Sequence, residues 1–552
     1  MAKHAFLTKR SERVVAAMAT SGLLATGLAV PMAQVASATT TSQKVGSTCT
    51  VTSDGSSQTA LRSAIDSAIA DIQCQVVEIN SSTSSPLNFE VTNTSVQIRP
   101  SENTNDTRRT LTVKSRTGLN VYPADGFESD LFEVDDTPNF PNGQADMVDI
   151  TIEGLTFRGS LRRALDAGSF GNNGKLTIKN SRFLSNGLNR SDQGGAIEAE
   201  SNLEIHNSVF YGNKAGAVYM PEGNVKISNS LFLENTGYAP GPDAYDDAYN
   251  GGAVYAEGNI LSVNSTYLDN YASRGGALYS ATGDIQLVLN TFSSNFASLG
   301  GGAYSAEAND GTVLMWGNIF DGEPGEEQQI QGGVSEDDLG YNLAESPDTN
   351  FTATTSRQVT PEEWNFGTAP TSADVDRSTP VTTAPVLPLT SASAAVKFVT
   401  GTFPSEAFSS FFSGKTSKDQ LGTNRRSGAI DAGAHQIAPR RSSSAAAPVV
   451  VQTEPKRITV PGFAANSTKL TRPMRAEIRK FLRANPDLNN VVCRGFTSSP
   501  ATAKDRVLAR NRGKVACDYI KTLRPEAKVT IRSGSHTNKP GKQIRRVSIT
   551  LR

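Results

Sequence analysis

Apolar positions recur with two different periods near the start of the chain. Between residues 58 and 72, Leu61, Ile65, Ala68 and Ile72 are spaced three or four residues apart, which is typical of an amphipathic helix. From about residue 76, apolar and polar residues alternate in short segments separated by Asn, Gly and Ser, such as VQIRP and VDITIEGLTF. The pattern therefore predicts one helix followed by many short β-strands.

The β-rich region contains a repeat in which an aromatic residue is followed three positions later by asparagine, as in Phe183 to Asn186. A second motif reads Gly-Gly-Ala followed by a strand, and it begins at Gly194, Gly251, Gly275 and Gly301, with a variant at Ala215. The aromatic positions are Phe157, Phe183, Phe210, Phe232, Tyr267, Phe292 and Phe320, so that most steps are 22 to 28 residues long.

A period of this length fits one coil of a parallel β-helix, because a single coil cannot bury its inward face and must stack on its neighbours. Stacking predicts columns of aromatic rings and of hydrogen-bonded asparagine amides at the strand spacing. We therefore predict a mainly β protein. Residues 39–75 form an N-terminal cap with the amphipathic helix, and residues 76–437 form a right-handed parallel β-helix with an irregular C-terminal part.

One interval of the repeat, from Phe232 to Tyr267, is longer than the others because residues 236–250 are inserted. Insertions in solenoids become loops on one face, and such loops commonly bind ligands. Tyrosines in this loop could stack on sugar rings and aspartates could hold a cation, although a solvated loop without a ligand is an alternative. The candidate ligand residues are Tyr238, Asp243, Tyr245, Asp246, Asp247 and Tyr249.

The paired Gly-Gly-Ala and Phe-x-x-Asn motifs resemble those of polymorphic outer-membrane and autotransporter-type surface proteins. The segment from Asp419 to Gln436 resembles the closing segment of bacterial surface β-helix proteins. This resemblance covers about residues 55–437 and implies display, adhesion or glycan and partner binding at the envelope rather than a defined reaction.

The N-terminus is typical of a secretory signal peptide. Four basic residues within the first 13 precede an apolar stretch over residues 14–30, and Ala36 and Ala38 provide a small-x-small cleavage site. The apolar stretch is interrupted by Thr20, Ser21 and Thr26, so that a transmembrane anchor is not predicted. We expect cleavage after about Ala38 and a secreted or cell-envelope location, with no transmembrane segment left after signal removal.

The four cysteines form two local pairs, Cys49 with Cys74 and Cys493 with Cys517, which an oxidising compartment would convert into two disulfides. No CxxC motif or Cys/His cluster is present, so neither a metal site nor a cofactor is predicted.

Charged residues are distributed unevenly between the two ends of the chain. Residues 455–552 contain 23 Lys and Arg against 5 Asp and Glu, whereas residues 39–454 contain 26 against 48. The basic end is expected to associate with an anionic surface, and a solvated basic domain without such a partner is the alternative.

Residues 438–455 are rich in Ala, Ser and Pro and read as a linker. Residues 456–552 then show a β-α-β-α-β-β order, which favours a compact α+β domain. Over this range the chain resembles an OmpA-like peptidoglycan-associating domain, on the residues Gly495-Phe496-Thr497, the helix segment from Leu508 to Gly513, and Arg545-Arg546-Val547.

In that family, a loop aspartate and a helix arginine grip the diaminopimelate of a peptidoglycan stem peptide. The resemblance places Arg512 at the arginine position, while Ser498 occupies the aspartate position after Thr497. Arg512, Ser498 and Thr497 are therefore the candidate peptidoglycan-binding residues, and a surface cation on a basic helix is the alternative interpretation of Arg512. The expected partner is peptidoglycan or another anionic wall polymer, and no nucleic-acid partner is predicted.

Parallel β-helices also include polysaccharide lyases and glycoside hydrolases, which place paired carboxylates or basic residues on consecutive coils. The adjacent pair Asp246-Asp247 lies in the inserted loop rather than on a strand, and His206 stands alone on its segment. The sequence thus predicts a non-catalytic envelope protein with no catalytic residue. A secreted β-helix polysaccharide lyase or hydrolase is the alternative.

Overall fold

A computed structural model describes most of the chain beyond its first 39 residues. The described ranges are 40–71, 73–83, 85–98, 110–134, 149–168, 174–188, 194–237, 249–306, 311–322, 330–331, 335–345, 351–377, 379–425, 428–437, 456–461, 463, 467–483, 485, 490–497, 503–524, 527–533 and 546–551. The predicted signal peptide and the predicted linker lie outside these residues.

Short parallel strands stack in register and form three faces of a β-helix, which confirms the predicted architecture. Face 1 consists of Thr48–Ser53, Val76–Ser81, the first half of Thr110–Pro123, the first half of Asp149–Arg158, Lys175–Lys179, Asn202–His206, Val225–Ser228, Ile260–Val263, Ile285–Val288, Thr312–Trp316 and Ser335–Asp338. Face 2 consists of Leu87–Val91, the second halves of the same two long strands, Arg182–Leu184, Val209–Tyr211, Leu231–Leu233, Thr266–Leu268, Thr291–Ser293, Ile319–Asp321, Leu343–Ala344 and Arg357–Gln358.

The third face is a separate nine-stranded sheet. Face 3 consists of Val96–Ile98, Phe132–Val134, Leu165–Ala167, Ile197–Ala199, Val218–Met220, Val254–Ala256, Leu278–Ser280, Tyr304–Ala306 and Ile330–Gln331. A short pair of strands, Tyr271–Arg274 and Phe296–Gly300, lies before face 3 in two of the coils.

The predicted aromatic column is present inside face 2. Each aromatic residue of the repeat pairs with its counterpart on the next coil, and Phe183, Phe210 and Phe232 stack with centroid distances of 4.9 and 4.6 Å. The column continues through Tyr267, Phe292 and Phe320, with every ring fully buried. Because each ring covers the one beneath it, the repeat in the sequence translates directly into a continuous core.

The corners between faces depend on left-handed backbone conformations and on short glycine contacts. In the Gly-Gly-Ala motif, Gly251 has a φ of +70°, and a Cβ on Gly252 would lie 2.3 Å from the carbonyl oxygen of Gly276. A larger residue at Gly252 would have to move the neighbouring coil, and one at Gly251 would be strained and would meet the backbone of Val254 in the same coil. The alanine that follows, Ala253, is fully buried.

The N-terminal end of the solenoid is covered by the predicted helix, which spans Gln58–Ala70 and begins at the capping residue Ser57. Its buried side chains include Leu61 and Ile65. The parallel ladder nevertheless begins earlier than expected. Thr48–Ser53 lies inside the predicted cap, yet it pairs in parallel with Val76–Ser81, and Thr40–Val45 pairs with it in antiparallel orientation.

Residues 351–437, which we call the return segment, leave the last coil and pack along the outside of the β-helix. Arg158 pairs with Asp376 at 2.9 Å, so the segment reaches back to an early coil. It later contacts the last coils again, where the amide of Gly433 donates to the carbonyl of Gly317. Its short helices are Pro361–Trp364 and Ser372–Val375, and its 3₁₀ turns are Ser410–Phe412 and Lys415–Ser417.

The C-terminal region has its own hydrophobic core and the predicted order of elements. These elements are Lys456–Pro461, the helix Arg472–Arg483, Asn490–Gly495, the helix Ala503–Leu523, Lys528–Ser533 and Arg546–Leu551. The sheet places the last strand between the first and second, antiparallel to both, and the second strand is parallel to the third.

Both predicted disulfides are present. Cys49 is bonded to Cys74 and Cys493 to Cys517, with Cα separations of 5.6 and 5.8 Å. The second joins the strand Asn490–Gly495 to the helix Ala503–Leu523. Two disulfides are typical of an extracellular or periplasmic protein.

Candidate functional site

The inserted loop predicted to bind a ligand falls mostly outside the described residues. Only its last candidate, Tyr249, is described, together with Gly237 at the other end. The amide of Tyr249 donates to the carbonyl of Gly237 at 2.7 Å, so that the chain leaves and rejoins the coil at one point. That point lies directly before the face 3 strand Val254–Ala256. The candidates outside the described residues are Tyr238, Asp243, Tyr245, Asp246 and Asp247.

A continuous row of outward-pointing side chains runs along face 3 next to this point. We call it the acid-tyrosine row. Its members occupy the same strand position on successive coils, and each pairs directly with the next. In order along the solenoid they are Glu133, Asp166, Glu198, Tyr219, Tyr255 and Tyr279. Three carboxylates are thus followed by three phenol rings in a single line.

The tyrosines form a stack on the outside of the β-helix. The ring centroids of Tyr219 and Tyr255 are 5.0 Å apart, and those of Tyr255 and Tyr279 are 5.4 Å apart. Tyr279 is buried, whereas Tyr219 and Tyr255 are partly exposed. The hydroxyl of Tyr255 donates to Glu257 at 3.0 Å. Burial raises the pKa of Tyr255 above its usual range, and Glu257 adds to this effect, so that the phenol remains a neutral donor.

An arginine organises the carboxylate end of the row. The side chain of Arg163 forms ion pairs with Asp166 at 2.8 Å, with Glu198, and with the buried Asp130 at 3.9 Å. Burial raises the pKa of Asp130. One cation therefore holds three carboxylates in fixed positions, and the outward row as a whole remains negatively charged.

The tyrosines of the acid-tyrosine row have a signal in the sequence. Each tyrosine stands two residues after the alanine of a Gly-Ala pair, as Tyr219 follows Ala217 and Tyr255 follows Ala253. Because residues at the same repeat position occupy the same column, aromatic residues at this position predict an outward stack.

The candidate peptidoglycan-binding residues are placed differently from a surface site. Arg512 is fully buried, its Nε donates to the carbonyl of Ser467 and its Nη1 to that of Phe496, both at 2.9 Å. Its guanidinium also lies 5.0 Å from the ring centroid of Phe463. The interpretation of Arg512 as a surface cation is therefore wrong, because its charge is enclosed by backbone acceptors. Thr497 is buried as well, and Ser498 lies outside the described residues.

His206 does not stand alone, contrary to the sequence analysis. Its Nδ1 lies 2.7 Å from the hydroxyl of Ser228 on the next coil, and its Nε2 lies 3.4 Å from a carboxylate oxygen of Glu204. Hydrogen bonding to His206, with further contributions from Lys175 and Lys226, lowers the pKa of Glu204 to about 2. Ser228 is only 2% exposed, so its hydroxyl is closed to a substrate.

In the part of the chain that the structure describes, one group of possible metal ligands has suitable spacing. It consists of Cys49, Asp71 and Cys74, and both of its sulfurs belong to a disulfide. Within the same residues, every helix is too short or too polar to cross a membrane.

Comparison with known proteins supports the fold. A family profile described as a right handed beta helix region matches residues 142–335, which identifies the central coils as right-handed. No curated protein matches the chain. Among solved structures, the PL6 family alginate lyase AlyGC is similar with 12% identity and a TM-score of 0.25, over 65% of this chain and 59% of the lyase chain. A point mutant of that enzyme gives 12% identity and a TM-score of 0.24, over 62% and 58%. The chain thus spans less than two thirds of the length of either structure.

Proposed function

We propose that this protein is an exported, non-catalytic cell-envelope protein whose β-helix binds a polysaccharide and whose basic C-terminal domain associates with peptidoglycan or another anionic wall polymer. The observation that carries the first half is the acid-tyrosine row on face 3. Partly exposed aromatic rings in an ordered stack are unusual on a protein surface unless they bind something.

The chemistry of the row matches that of a sugar polymer. The outer edges of the neighbouring rings of Tyr219 and Tyr255 form an apolar strip against which the C–H groups of a pyranose can pack. The carboxylates of Asp166 and Glu198, on the neighbouring coils, can accept hydrogen bonds from sugar hydroxyls. Because one group is presented per coil, a linear polymer lying along the solenoid would meet a contact at every strand spacing.

The negative charge of the β-helix favours some classes of polysaccharide over others. Residues 39–454 carry 48 Asp and Glu against 26 Lys and Arg, and the row contains three carboxylates, two of which form ion pairs with Arg163. A polyanion would be repelled from this face. The expected ligand is therefore a neutral polysaccharide or one that carries amino groups.

The test uses the chain from residue 39 onward with neutral, amino-bearing and anionic polysaccharides in a pull-down assay, followed by calorimetry with oligosaccharides of the best ligand. We expect binding to a neutral or amino-bearing polymer and at least tenfold weaker binding after the double substitution Tyr219→Ala with Tyr255→Ala. The matched control is Tyr122→Ala, a partly exposed tyrosine on face 2.

Unchanged affinity in the double variant would overturn the proposed polysaccharide site. Anionic polymers are expected to bind the basic C-terminal domain, so their binding should be unaffected by the double substitution. Weaker binding of the anionic polymers by the double variant would contradict the expected preference of the acid-tyrosine row. The same incubations are assayed for new reducing ends and for unsaturated products. Formation of either product by the purified protein would show catalysis and would favour the alternative, a polysaccharide lyase or hydrolase.

The second half of the proposal rests on the charge of the C-terminal domain. Its 23 Lys and Arg against 5 Asp and Glu produce a strong positive field, which attracts polyanions. Exposed cations such as Arg510 and Lys521 are available for this contact, whereas Arg512 is enclosed. Arg512 donates a hydrogen bond to the carbonyl of Phe496. We therefore expect Arg512 to hold the backbone at Phe496 in place and to affect binding of the wall polymer only through that backbone.

Sedimentation of the full chain with peptidoglycan sacculi over a salt series tests this half. We expect binding at low salt that weakens as salt screens the charges. Arg510→Glu with Lys521→Glu should reduce the bound fraction, whereas Lys397→Glu with Lys418→Glu, two exposed lysines of the return segment, should not. Absence of binding at low salt, or equal losses in both variants, would contradict the assignment to the C-terminal domain.

A further inference from the structure

A cavity of about 800 Å³ lies between face 2 and the return segment, away from the acid-tyrosine row. Its walls include Arg116 and Arg182 from the β-helix and Arg377 from the return segment. This volume falls in the range of pockets that hold small molecules. Three arginines from two parts of the chain thus converge on one space.

Arg182 is the unusual member of this group. It stands on face 2 between Thr156 and Val209 of the neighbouring coils, and only 5% of its surface is exposed. Its Nη1 donates to the carbonyl of Thr379, while its Nε has no hydrogen-bond partner among the described residues. A buried, incompletely paired cation costs free energy unless something else satisfies it.

The nearby charges do not supply that partner. Burial, together with the positive charges of Arg377 and Arg158, lowers the pKa of Arg182 to about 10. Asp376 is paired with Arg158 at 2.9 Å, and Glu78 is paired with Arg116 at 2.9 Å. No described carboxylate forms an ion pair with Arg182.

The acidic residue that lines the cavity is also engaged. Oδ2 of Asp374 accepts hydrogen bonds from both the amide and the hydroxyl of Thr371 at 2.8 Å, in the cap of the short helix Ser372–Val375. The lining therefore contains more positive than negative charge. Arg182 on the β-helix wall and Arg377 on the return-segment wall face the same space.

We propose that this cavity is a binding site for an acidic sugar, whose carboxylate accepts hydrogen bonds from Arg182 and Arg377. Arginine suits this role because its planar group presents paired N–H donors in the geometry of a carboxylate. The site is separate from the acid-tyrosine row, and the inference does not depend on the proposed function.

The rest of the lining indicates a ligand rich in hydroxyl groups. Threonines occur on both walls, at Thr117 of the β-helix and at Thr368, Thr379, Thr382 and Thr383 of the return segment. Their hydroxyls can both donate and accept hydrogen bonds. A uronic acid unit combines one carboxylate with several hydroxyls, and a short oligomer suits a site within a β-helix whose overall charge repels long polyanions.

Calorimetry on the chain from residue 39 onward tests the proposal with di- and trigalacturonate, the neutral galactose oligomers of the same length, and inorganic phosphate. We expect saturable binding of the galacturonates and none of the neutral oligomers. Arg377→Ala and Arg182→Gln should each weaken binding at least tenfold. Arg357→Ala, an exposed arginine of the return segment outside the cavity, should leave it unchanged.

Thermal unfolding provides a second readout for the buried position. Without ligand, Arg182→Gln should unfold at the same or a higher temperature than the parent, because an unsatisfied charge is removed, and galacturonate should no longer raise that temperature. If Arg182→Gln fails to fold, Arg377→Ala still decides the matter, since Arg377 is exposed. Equal binding of neutral and acidic oligomers, equal affinity for inorganic phosphate, or full affinity in Arg377→Ala would overturn the proposal.

Discussion

The side-chain amide of Asn213 donates to Oδ1 of Asn235 on the next coil at 2.8 Å. Asn235 in turn donates to Asn270 at 3.0 Å and to the backbone carbonyl of Phe210 at 3.0 Å. Every one of these amides is fully buried, so the corner between faces 2 and 3 is held by a chain of hydrogen bonds that water cannot replace.

Replacing Asn235 by alanine should therefore destabilise the β-helix strongly. The substitution removes the acceptor of both the backbone and the side-chain amide of Asn213, and the donor to the carbonyl of Phe210, in a dry environment. We expect a loss of about 3 kcal/mol in the free energy of unfolding, measured by urea denaturation. Asn93→Ala, at an exposed position, should change it by less than about 0.5 kcal/mol, and similar effects at both sites would contradict the role of the ladder.

This ladder and the aromatic column were predictable because both repeat in the sequence with the period of one coil. A residue type that returns every 22 to 28 positions, as Phe183, Phe210 and Phe232 do, must meet its own kind in a stacked structure. The same logic applies to the outward tyrosines Tyr219, Tyr255 and Tyr279, but they cover only three successive coils and are spaced 36 and 24 residues apart, so that their repeat is harder to recognise.

A glutamate on face 1 should make the protein sensitive to acid. Hydrogen bonding to His206 and the charges of Lys175 and Lys226 lower the pKa of Glu204 to about 2. Since the folded pKa lies below the unfolded value, near 4.3, the stabilisation is complete above that value and is lost as the pH falls toward 2.

Glu204→Gln should therefore cost on the order of 2 kcal/mol at neutral pH and should flatten the loss of stability between pH 4.5 and 2. Urea unfolding at a series of pH values measures both effects. Glu222→Gln, at an exposed glutamate, serves as the control. If the free energy of unfolding of Glu204→Gln falls between pH 4.5 and 2 as steeply as that of the parent protein, the acid sensitivity does not come from Glu204.

The one tyrosine within the inner aromatic column predicts the opposite pH dependence. Burial raises the pKa of Tyr267 well above its usual range, and its hydroxyl lies 2.8 Å from that of Ser262. Because the folded pKa is raised, the stabilisation is present below the unfolded pKa of about 10 and is lost as the pH rises through and beyond it.

Tyr267→Phe should cost about 1 kcal/mol at pH 8, where Ser262 loses a hydrogen bond, and should make unfolding less sensitive to alkali. Denaturant unfolding between pH 8 and 11 measures this. Tyr122→Phe, at a partly exposed ring, should protect much less against alkali. Equal alkaline sensitivity of the parent and Tyr267→Phe would show that Tyr267 ionises without unfolding.

The features that the sequence did not reveal are those without a repeat. The contact of Arg158 with Asp376 joins residues 218 positions apart, and no local period marks it. Arg512 has the charge of a surface residue, and only the three-dimensional arrangement of Ser467 and Phe496 shows that it is enclosed. The cavity at Arg182 depends on the same kind of distant contact.

The packing of the return segment can be tested at Leu233, which points outward from face 2 and is nevertheless 1% exposed. Together with Leu231 it forms an apolar cluster with Val375 and Val381 of the return segment. Leu233→Ala should lower the free energy of unfolding by about 3 kcal/mol if this side chain is truly covered, because it leaves a cavity beneath the segment.

Hydrogen exchange should at the same time accelerate at the amides of residues 375–384, while the inner column at Phe232 remains protected, since the segment can open without unfolding the coils. Val507→Ala, which removes an exposed apolar side chain, is the control and should change neither quantity. A loss below about 0.5 kcal/mol without faster exchange over 375–384 would mean that the return segment does not cover face 2 in solution.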